Sequence, residues 1–345
     1  MGPGLGSITV EPKERDVHTL SVVVPVYRGE ATLRAVVEEL VAYERERLTA
    51  DGHAFRVAEI LLVHDGGPDG SPRVMRELAA EHPEVRPVWL SRNFGQHAAT
   101  LAGMASTGGD WIVTLDEDGQ HDPADIAGML DTAMREQKPL VYAKPLNTPS
   151  HGAFRNATSR GAKKFITAFL GNPHASEFQS FRLILGSVGR GVAAYAGSGV
   201  YLDIALSWVV PAPATSPVTL RDEGERRSGY TTRSLLAHFW RMVLTSGTRG
   251  LRFVTALGVG FAVIGLLWTI WIVIARLTGI DTGAPGWAST IVVILISVGA
   301  ILFSLGTIAE YLGIAVNMSL GKPPYLIVPD PADGPLGRAP RTPSS

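Results

Sequence analysis

Two acidic residues, separated by one position, directly follow a short apolar segment in the first half of the chain. Asp116 and Asp118 come after the sequence WIVTL, which spans Trp111 to Leu115 and has the composition of a buried strand. Carboxylates at this spacing can both reach one hard cation, and a bound Mg²⁺ or Mn²⁺ would neutralise a diphosphate group. Because most acidic triplets of this kind lie in solvated loops, the pair needs support from the surrounding sequence.

The first third of the chain alternates apolar strands with amphipathic helices. We predict strands at 20–26, 59–64, 85–90 and 111–115, and helices at 31–47 and 71–81. This alternation is typical of an α/β domain with a mainly parallel sheet and right-handed crossovers. Ligands bind such sheets beyond the carboxyl ends of the strands. Three polar clusters follow predicted strands, at 27–30, at Asp65 and at 116–120.

The composition excludes several classes of protein. The chain has 345 residues, of which 46% are hydrophobic and 18% are charged, and most of the apolar excess lies after Gly250. A formal net charge of −1 gives no indication of nucleic-acid binding, so we expect no nucleic-acid partner. The absence of cysteine excludes disulfide bonds, cysteine-bound zinc and thiol catalysis.

Two long uncharged segments predict a transmembrane helix hairpin within 251–313. The first, at about 253–275, is bracketed by Arg252 and Arg276, and the second, at about 287–309, is closed by Glu310. Both reach the roughly 20 residues that a spanning helix needs, and a buried pair of soluble helices is the alternative. Basic residues flank the pair on one side. The positive-inside rule therefore predicts a multi-pass protein of the cell (inner) membrane, with the catalytic domain and both termini in the cytoplasm.

Two basic amphipathic segments are expected to lie in the membrane interface, at 155–170 and within the juxtamembrane stretch 233–250. Helices packed on the sheet are the alternative. Basic residues of the first segment would attract an anionic phosphate at the bilayer surface, namely Arg155, Arg160, Lys163 and Lys164. We further predict a flexible leader at 1–18, a catalytic domain at 19–232 and a cytoplasmic tail at 314–345. The tail is rich in Pro, Gly, Ser and Arg from Pro329 onward and is expected to be disordered there.

Six sequence stretches occur in the order found in one enzyme family. They are VVVPVYRGE, VHDGGPDGS, SRNFGQHAATLAGM, LDEDGQHDP, SFRLI and AEYLG, within a region from about Leu20 to Ile327. The chain therefore resembles family-two glycosyltransferases of the polyprenyl-phosphate branch. That branch includes dolichol-phosphate mannose synthases, undecaprenyl-phosphate glucosyltransferases and the aminoarabinose transferases of lipid A modification. The resemblance implies a GT-A nucleotide-sugar-binding domain that transfers a sugar, with inversion, from a UDP- or GDP-linked donor to a polyprenyl phosphate. The product would be a lipid-linked sugar donor for cell-envelope or natural-product glycosylation.

The resemblance also implies roles for individual residues. Those expected to bind the donor are Pro25, Tyr27, Glu30, Asp65, Gln96 and Asp116. Those expected to surround the metal and the diphosphate are Asp116, Asp118 and Gln120. The expected catalytic residues are Asp118 and Arg182, and the acceptor phosphate is expected to contact Arg155, Arg182 and Ser228. Simpler alternatives are a packed strand end for Pro25 and Tyr27, a surface ion pair for Arg182, and a plain polar connection around Ser228 and Tyr230.

Several positions depart from the family pattern. His64 replaces the first of two usual acids, Gly67 replaces a serine, and Ser180 stands where the glucosyltransferases often have aspartate. Arg28-Gly29 and Arg226-Arg227 also replace the usual residues. The departures need not prevent transfer, because a phosphate monoester has a second pKa near 6 and is already an anionic nucleophile at neutral pH.

Two other functions remain as alternatives. A processive polysaccharide synthase would show Gln-x-x-Arg-Trp, whereas the stretch from Gln179 to Arg182 is followed by Leu183 and the membrane part is small. A catalytically decayed membrane scaffold is suggested by the departures, although the retained pair of aspartates argues against it. Small residues such as Gly258, Gly260 and Gly265 permit close helix packing, which is compatible with a homo-oligomer.

Overall fold

The computed structural model of the protein describes residues 17–147, 174, 177–197, 199–221, 249–278 and 287–335. The strands in these residues are β1 (His18–Val26), β2 (Arg47–Leu48), β3 (Ala54–His64), β4 (Val85–Leu90), β5 (Trp111–Thr114), β6 (Leu140–Pro145), β7 (Arg182–Leu185), β8 (Ala214–Val218) and β9 (Ile327–Val328). The helices are α1 (Leu33–Val41), α2 (Ser71–Glu81), α3 (Gln96–Ala105), α4 (Asp125–Glu136), α5 (Gly186–Tyr195), α6 (Leu202–Val209), α7 (Arg249–Leu277) and α8 (Trp287–Ser319).

The strands form one mixed sheet in the order β8-β6-β7-β5-β1-β3-β4-β9, with β2 paired to β3 outside this path. The pairs β1–β3, β1–β5, β3–β4 and β6–β8 are parallel, whereas β5–β7, β6–β7, β2–β3 and β4–β9 are antiparallel. Parallel pairing is therefore confirmed within β5-β1-β3-β4, whereas the sheet as a whole is mixed, because β7 is antiparallel to both of its neighbours and β9 is antiparallel to β4. The regular strand–helix alternation that indicates parallel pairing ends at β6, and β7 carries no signal of its direction in its sequence.

Alternate residues of β1 pack on opposite faces of the sheet, which explains why this strand is apolar at nearly every position. Val22 and Val24 belong to the core that α1, α2 and α4 cover, and Val23 belongs to the core that α3, α5 and α6 cover. All three side chains are fully buried. The two cores together fix the carboxyl ends of β1, β3 and β5 relative to one another.

The predicted elements differ from the observed ones mainly around α1. This helix ends at Val41 rather than near 47, and β2 then pairs with the start of β3, which begins at Ala54 rather than 59. The guanidinium of Arg47 turns back, donates a hydrogen bond to the Ala42 carbonyl over 2.7 Å and lies over the Tyr43 ring. The predicted bounds of α2 and β4 are confirmed.

The predicted apolar segments lie within α7 and α8, and most of the apolar side chains described along these helices are exposed. Within the described residues, one stretch is long and apolar enough to cross a bilayer, Ile296–Val316, with a mean hydropathy of 1.7. The apolar stretch in α7, Gly258–Trp268, is shorter. Glu310 does not end the second helix, since α8 continues to Ser319.

The chain after α8 returns to the sheet. Strand β9 pairs antiparallel with β4, and Tyr325 packs against the core beneath α3 and α5. Arg76 on α2 donates two hydrogen bonds of 2.7 Å to the Asp330 carboxylate. The expectation of disorder from Pro329 onward was therefore wrong for residues 329–335, because this part of the tail follows β9 directly and is held by the bidentate ion pair of Asp330.

Candidate active site

The carboxyl ends of β5, β1 and β3 lie side by side because these strands are parallel neighbours. The predicted residues Tyr27, Asp65 and Asp116 consequently stand on adjacent loops at one edge of the sheet. Pro25, close to the end of β1, is half-buried and opposes Val63 of β3, while Tyr27 is 40% exposed. We call the loops at this edge the strand-end site.

Hydrogen-bond donors orient both carboxylate oxygens of Asp116. Gln96, the first residue of α3, donates from Nε2 to Oδ1 over 2.6 Å, and the Ser180 hydroxyl donates to Oδ2 over 2.5 Å. The Asp116 backbone N–H donates to Nδ1 of His121 over 3.3 Å, and burial lowers the pKa of this histidine. Each carboxylate oxygen retains a second lone pair, so the oriented carboxylate can still bind a cation.

The loop after Asp116 is shaped to carry Asp118 and Gln120. Gly119 adopts a positive φ of 76°, a conformation that glycine reaches without strain. The Gln120 backbone N–H donates to Oδ1 of Asp118 over 3.1 Å, and the Arg221 backbone N–H donates to the Gln120 carbonyl over 3.0 Å. Asp118 is thereby held beside Asp116 on the same half-buried loop.

Glu117, between the two aspartates, fastens the loop after β1 to the loop after β5. Its two carboxylate oxygens accept the backbone N–H groups of Tyr27 and Arg28, each over 2.9 Å. A Cβ atom at Gly29 would lie 2.8 Å from the same carboxylate, so the tight approach favours glycine there. Within the acidic triplet, Glu117 therefore binds the protein's own backbone, whereas Asp116 and Asp118 are the candidates for binding a cation.

Asp65 holds the loop that carries Gln96. Its carboxylate accepts hydrogen bonds from the backbone N–H groups of Phe94 and Gly95, over 2.7 and 2.8 Å. Burial raises the pKa of Asp65, and these two bonds oppose that shift. The predicted donor contact of Asp65 stays a prediction.

The departures at His64 and Gly67 have different physical settings. A Cβ atom at Gly67 would lie 1.7 Å from the Tyr27 carbonyl oxygen, so a serine does not fit this backbone. His64 packs its ring on Trp89, with ring centroids 5.5 Å apart, and burial lowers its pKa. Within the described part of the chain, its buried Nε2 atom has no hydrogen-bond partner.

Glu30 lies at the start of α2. Its Oε2 atom accepts the Gly70 backbone N–H over 2.9 Å, and its own N–H donates to Asp69 over 3.1 Å. The Arg73 guanidinium approaches the other carboxylate oxygen at 3.4 Å. These contacts join the loop after β1 to the start of α2 and so stabilise the strand-end site, while the predicted donor contact of Glu30 stays a prediction.

Arg182 is buried in an internal ion pair, so the alternative of a surface ion pair was wrong, while its predicted phosphate and catalytic roles stay predictions. Its side chain is only 5% exposed and forms a two-point ion pair with Asp203, over 2.8 and 2.9 Å. Its Nη1 atom donates to the Thr114 hydroxyl and the Ser180 carbonyl, each over 3.1 Å. Burial alone would lower the pKa of Arg182, but Asp203 raises it, so the guanidinium stays charged.

The contacts of Arg182 lead to Asp116 through Ser180. The Thr114 hydroxyl donates to the Ser180 carbonyl over 2.6 Å, and Tyr142 donates to Asp203 over 2.9 Å. The Ser180 hydroxyl in turn donates to Asp116. We call Thr114, Tyr142, Ser180, Arg182 and Asp203 the buried network. As placed, Arg182 acts on the site by positioning the backbone that presents Ser180.

Two predicted acceptor residues, Arg155 and Ser228, lie outside the described residues. So do the basic segment 155–170 and most of 233–250.

Sequence reasoning missed the roles of Glu117, Ser180, His121 and Asp203. Glu117 and Ser180 were visible next to predicted site residues, whereas nothing in the sequence around Asp203 indicates a partner 21 positions away.

Comparison with known proteins identifies the domain that carries the strand-end site. Residues 21–188 match the family model described as Glycosyl transferase family 2, a span that includes Tyr27, Asp65, the acidic triplet and Arg182. The chain carries a family 2 glycosyltransferase domain. Its α/β fold with a mixed sheet is the GT-A fold that the sequence resemblance implied.

This glycosyltransferase has relatives that match nearly its whole length. The undecaprenyl-phosphate 4-deoxy-4-formamido-L-arabinose transferase of Aeromonas hydrophila subsp. hydrophila is 28% identical, over 90% of this chain and 94% of its own length. The transferase of the same name from Edwardsiella ictaluri is 27% identical, over 91% and 94%.

Among solved structures, glucosyl-3-phosphoglycerate synthase from Mycobacterium tuberculosis is similar at a TM-score of 0.47 and 20% identity. The similarity covers 67% of this chain and 80% of that chain, whose structure contains Mn²⁺, UDP and glucosyl-3-phosphoglycerate.

Proposed function

We propose that this glycosyltransferase moves a sugar from a nucleotide-sugar to a polyprenyl phosphate. The observation that carries the proposal is the pair Asp116 and Asp118 at the end of β5, with Asp116 oriented by Gln96 and Ser180. The relatives that match nearly the whole chain are named as transferases acting on undecaprenyl phosphate, which supports a polyprenyl phosphate as the acceptor.

The strand-end site has a suitable donor set for a divalent cation, Mg²⁺ or Mn²⁺. The described residues contain no group of three or more metal-binding side chains. Two carboxylates suffice for such an ion, because Mg²⁺ commonly takes one or two carboxylates together with substrate phosphates and water. Asp116, Asp118 and Gln120 would hold the cation, which would neutralise charge on the departing diphosphate.

The protein's own residues position the donor and leave the acceptor to react. Pro25 and Tyr27 would border the nucleoside, and Glu117 keeps their loop against the acidic loop. An acceptor phosphate oxygen forms a bond to the anomeric carbon as the bond from that carbon to the diphosphate breaks, and the nucleoside diphosphate leaves with the electron pair. A single displacement inverts the anomeric centre, and the anionic acceptor needs no protein base to remove a proton.

A membrane hairpin formed by α7 and α8 would keep the enzyme next to its lipid acceptor. The catalytic domain precedes α7, and β9, which follows α8, pairs with β4 of the same domain. The chain must therefore cross the bilayer an even number of times between them, so a spanning α8 requires a second spanning segment. The candidate is α7, whose 29 residues exceed the roughly 20 that a spanning helix needs. The cytoplasmic orientation rests on the basic residues that flank the pair.

The two alternative functions have less support. The described membrane part consists of two helices, which is small for a channel that exports a polysaccharide. The Arg182–Asp203 ion pair, the hydroxyls of Thr114 and Ser180 and the amide of Gln96 together orient the Asp116 carboxylate. An enzyme requires such an oriented carboxylate, whereas a decayed scaffold does not.

A transfer assay with purified enzyme in lipid tests the proposal. UDP- and GDP-sugars are supplied with undecaprenyl phosphate and Mg²⁺ or Mn²⁺, and release of nucleoside diphosphate is measured with and without the lipid. We expect one donor to give release that depends on the lipid and is lost in Asp118→Asn. Absence of binding and turnover with every donor, from protein that melts normally, would favour the scaffold.

A further inference from the structure

Large side chains at the ends of α5 and α6 are exposed although one face of each helix is packed on the sheet. Tyr195, the last residue of α5, is 89% exposed, and Trp208 and Val209 at the end of α6 are 58% and 57% exposed. Earlier residues of α6, such as Leu202 and Leu206, are buried in the core. The exposed patch is therefore a local feature of the helix ends.

This patch adjoins the segment that immediately follows α8. Tyr195, Val200 and Trp208 line a cavity of about 430 Å³ together with the stretch from Gly321 to Pro324. Because α8 ends at Ser319, that stretch lies within a few residues of the end of the proposed membrane helix. Side chains that share the cavity with it must lie at nearly the same depth relative to the bilayer.

We propose that Tyr195, Trp208, Val209 and Lys322 form a lipid-contacting surface that rests on the headgroup region of the membrane. The inference rests on the proposed membrane anchoring by α7 and α8. Tyr and Trp are enriched at membrane interfaces, because their rings are largely apolar while their polar atoms reach water. The ammonium group of Lys322 supplies a positive charge that suits the phosphates of lipid headgroups.

The surface would also set which side of the catalytic domain faces the bilayer. Tyr201, next to Val200 of the cavity, packs its ring on His97 with centroids 3.7 Å apart. His97 follows Gln96, which donates to Asp116. The lipid-contacting surface is thus connected to the strand-end site through neighbouring residues. The site would then lie on the membrane-facing side of the domain, where the acceptor phosphate resides at headgroup level.

Because the chain contains no cysteine, a single introduced thiol can report on this surface without background. Val209→Cys is labelled with a nitroxide in the full-length protein, reconstituted in vesicles of phosphatidylethanolamine and phosphatidylglycerol. Accessibility to oxygen, which concentrates in lipid, and to a water-soluble nickel chelate is then measured. Two labelled controls are Leu48→Cys, exposed on β2, and Leu305→Cys, exposed on α8.

We expect the label at 209 to have an oxygen-to-nickel accessibility ratio several-fold above that at 48 and below that at 305. A ratio at 209 equal to that at 48, with 305 in lipid, would overturn the surface but leave the membrane anchoring intact. Shielding of 209 from both reagents would indicate a protein contact, such as a second copy, and would also overturn it. A water-accessible label at 305 would overturn the anchoring and the surface together.

Discussion

In the buried network beneath the strand-end site, polar groups are paired with one another, whereas along α8 apolar side chains are exposed. Asp203, Arg182, Ser180 and Asp116 form a continuous series of hydrogen bonds with distances between 2.5 and 3.1 Å. In contrast, Leu302 and Leu305 on α8 are 62% and 55% exposed. The stability of the buried network depends on the geometry of its hydrogen bonds. The placement of α8 depends on its apolar surface area and on the medium around it.

This difference predicts different responses to substitution. A directional network fails when one partner is removed, because the remaining charged group is left buried and unpaired. An apolar helix surface tolerates the exchange of one apolar residue for another but not the introduction of a charge. Variants in the two regions should therefore affect different measurements.

The largest effect is expected from removing Arg182. Arg182→Met leaves the Asp203 carboxylate buried without its ion-pair partner, which should destabilise the domain by about 3–5 kcal/mol. A loss of this size lowers the melting temperature by an amount on the order of 10 °C. Differential scanning fluorimetry in detergent measures the shift.

The matched double variant, Arg182→Met with Asp203→Leu, removes both charges and should recover much of the melting temperature. Its transfer activity should remain low, because the backbone that presents Ser180 to Asp116 has lost its support. A single variant that melts like the wild type would contradict the buried network.

A slightly smaller effect is expected from Asp118→Asn, which removes a charge from the proposed metal site. The rate of transfer should fall about 100- to 1,000-fold, or roughly 3–4 kcal/mol, as for loss of one preorganised electrostatic group. Asp51→Asn makes the same change at the opposite end of β3, where Asp51 pairs with Arg135, and should leave the rate unchanged. Near-normal transfer by Asp118→Asn would separate this residue from the chemistry.

The apolar region is tested by Leu305→Lys on α8. A lysine at the centre of a spanning helix raises the free energy of insertion by about 2.5–3.5 kcal/mol. We expect a smaller fraction of the protein to resist carbonate extraction from membranes, while Leu305→Ile behaves like the wild type. Equal membrane fractions for the lysine variant and the wild type would argue against a spanning α8.

The smallest effect is expected from Glu117→Gln, which weakens the contact between the donor loop and the acidic loop. An amide offers one acceptor oxygen in place of the carboxylate's two, so one backbone N–H loses a charge-assisted bond. The KM for the nucleotide-sugar should rise about tenfold, with less change in kcat. Glu44→Gln, at an exposed position, serves as the control, and a fall in kcat at constant KM would refute the positioning role.

The sequence predicted the part of the fold in which local pattern and topology agree. The strands β1, β4 and β5 and the helix α2 followed from apolar runs and periodicity, and their parallel order placed Tyr27, Asp65 and Asp116 on one edge. The antiparallel β7 and the docking of β9 were not predictable, because strand direction and long-range pairing leave little trace in local sequence.

Individual site residues show the same limit. Asp116 could be placed from its position after a strand, but the role of Arg182 depends on Asp203, whose side chain approaches only in the folded sheet. The burial of Arg182 in an internal ion pair is a property of the fold and could not be predicted from its neighbours in the sequence. The resemblance to a family indicated which residues to consider and could not indicate that Arg182 pairs with Asp203.

Mass spectrometry of the lipid product tests whether the enzyme transfers a single sugar to a polyprenyl phosphate. The purified enzyme is incubated with undecaprenyl phosphate, its nucleotide-sugar and a divalent cation, and the lipid fraction is analysed. We predict one new species, the polyprenyl phosphate plus a single sugar residue, formed by the wild type and absent with Asp118→Asn. Free sugar without a lipid product, or a lipid carrying a polymer of many sugars, would contradict it.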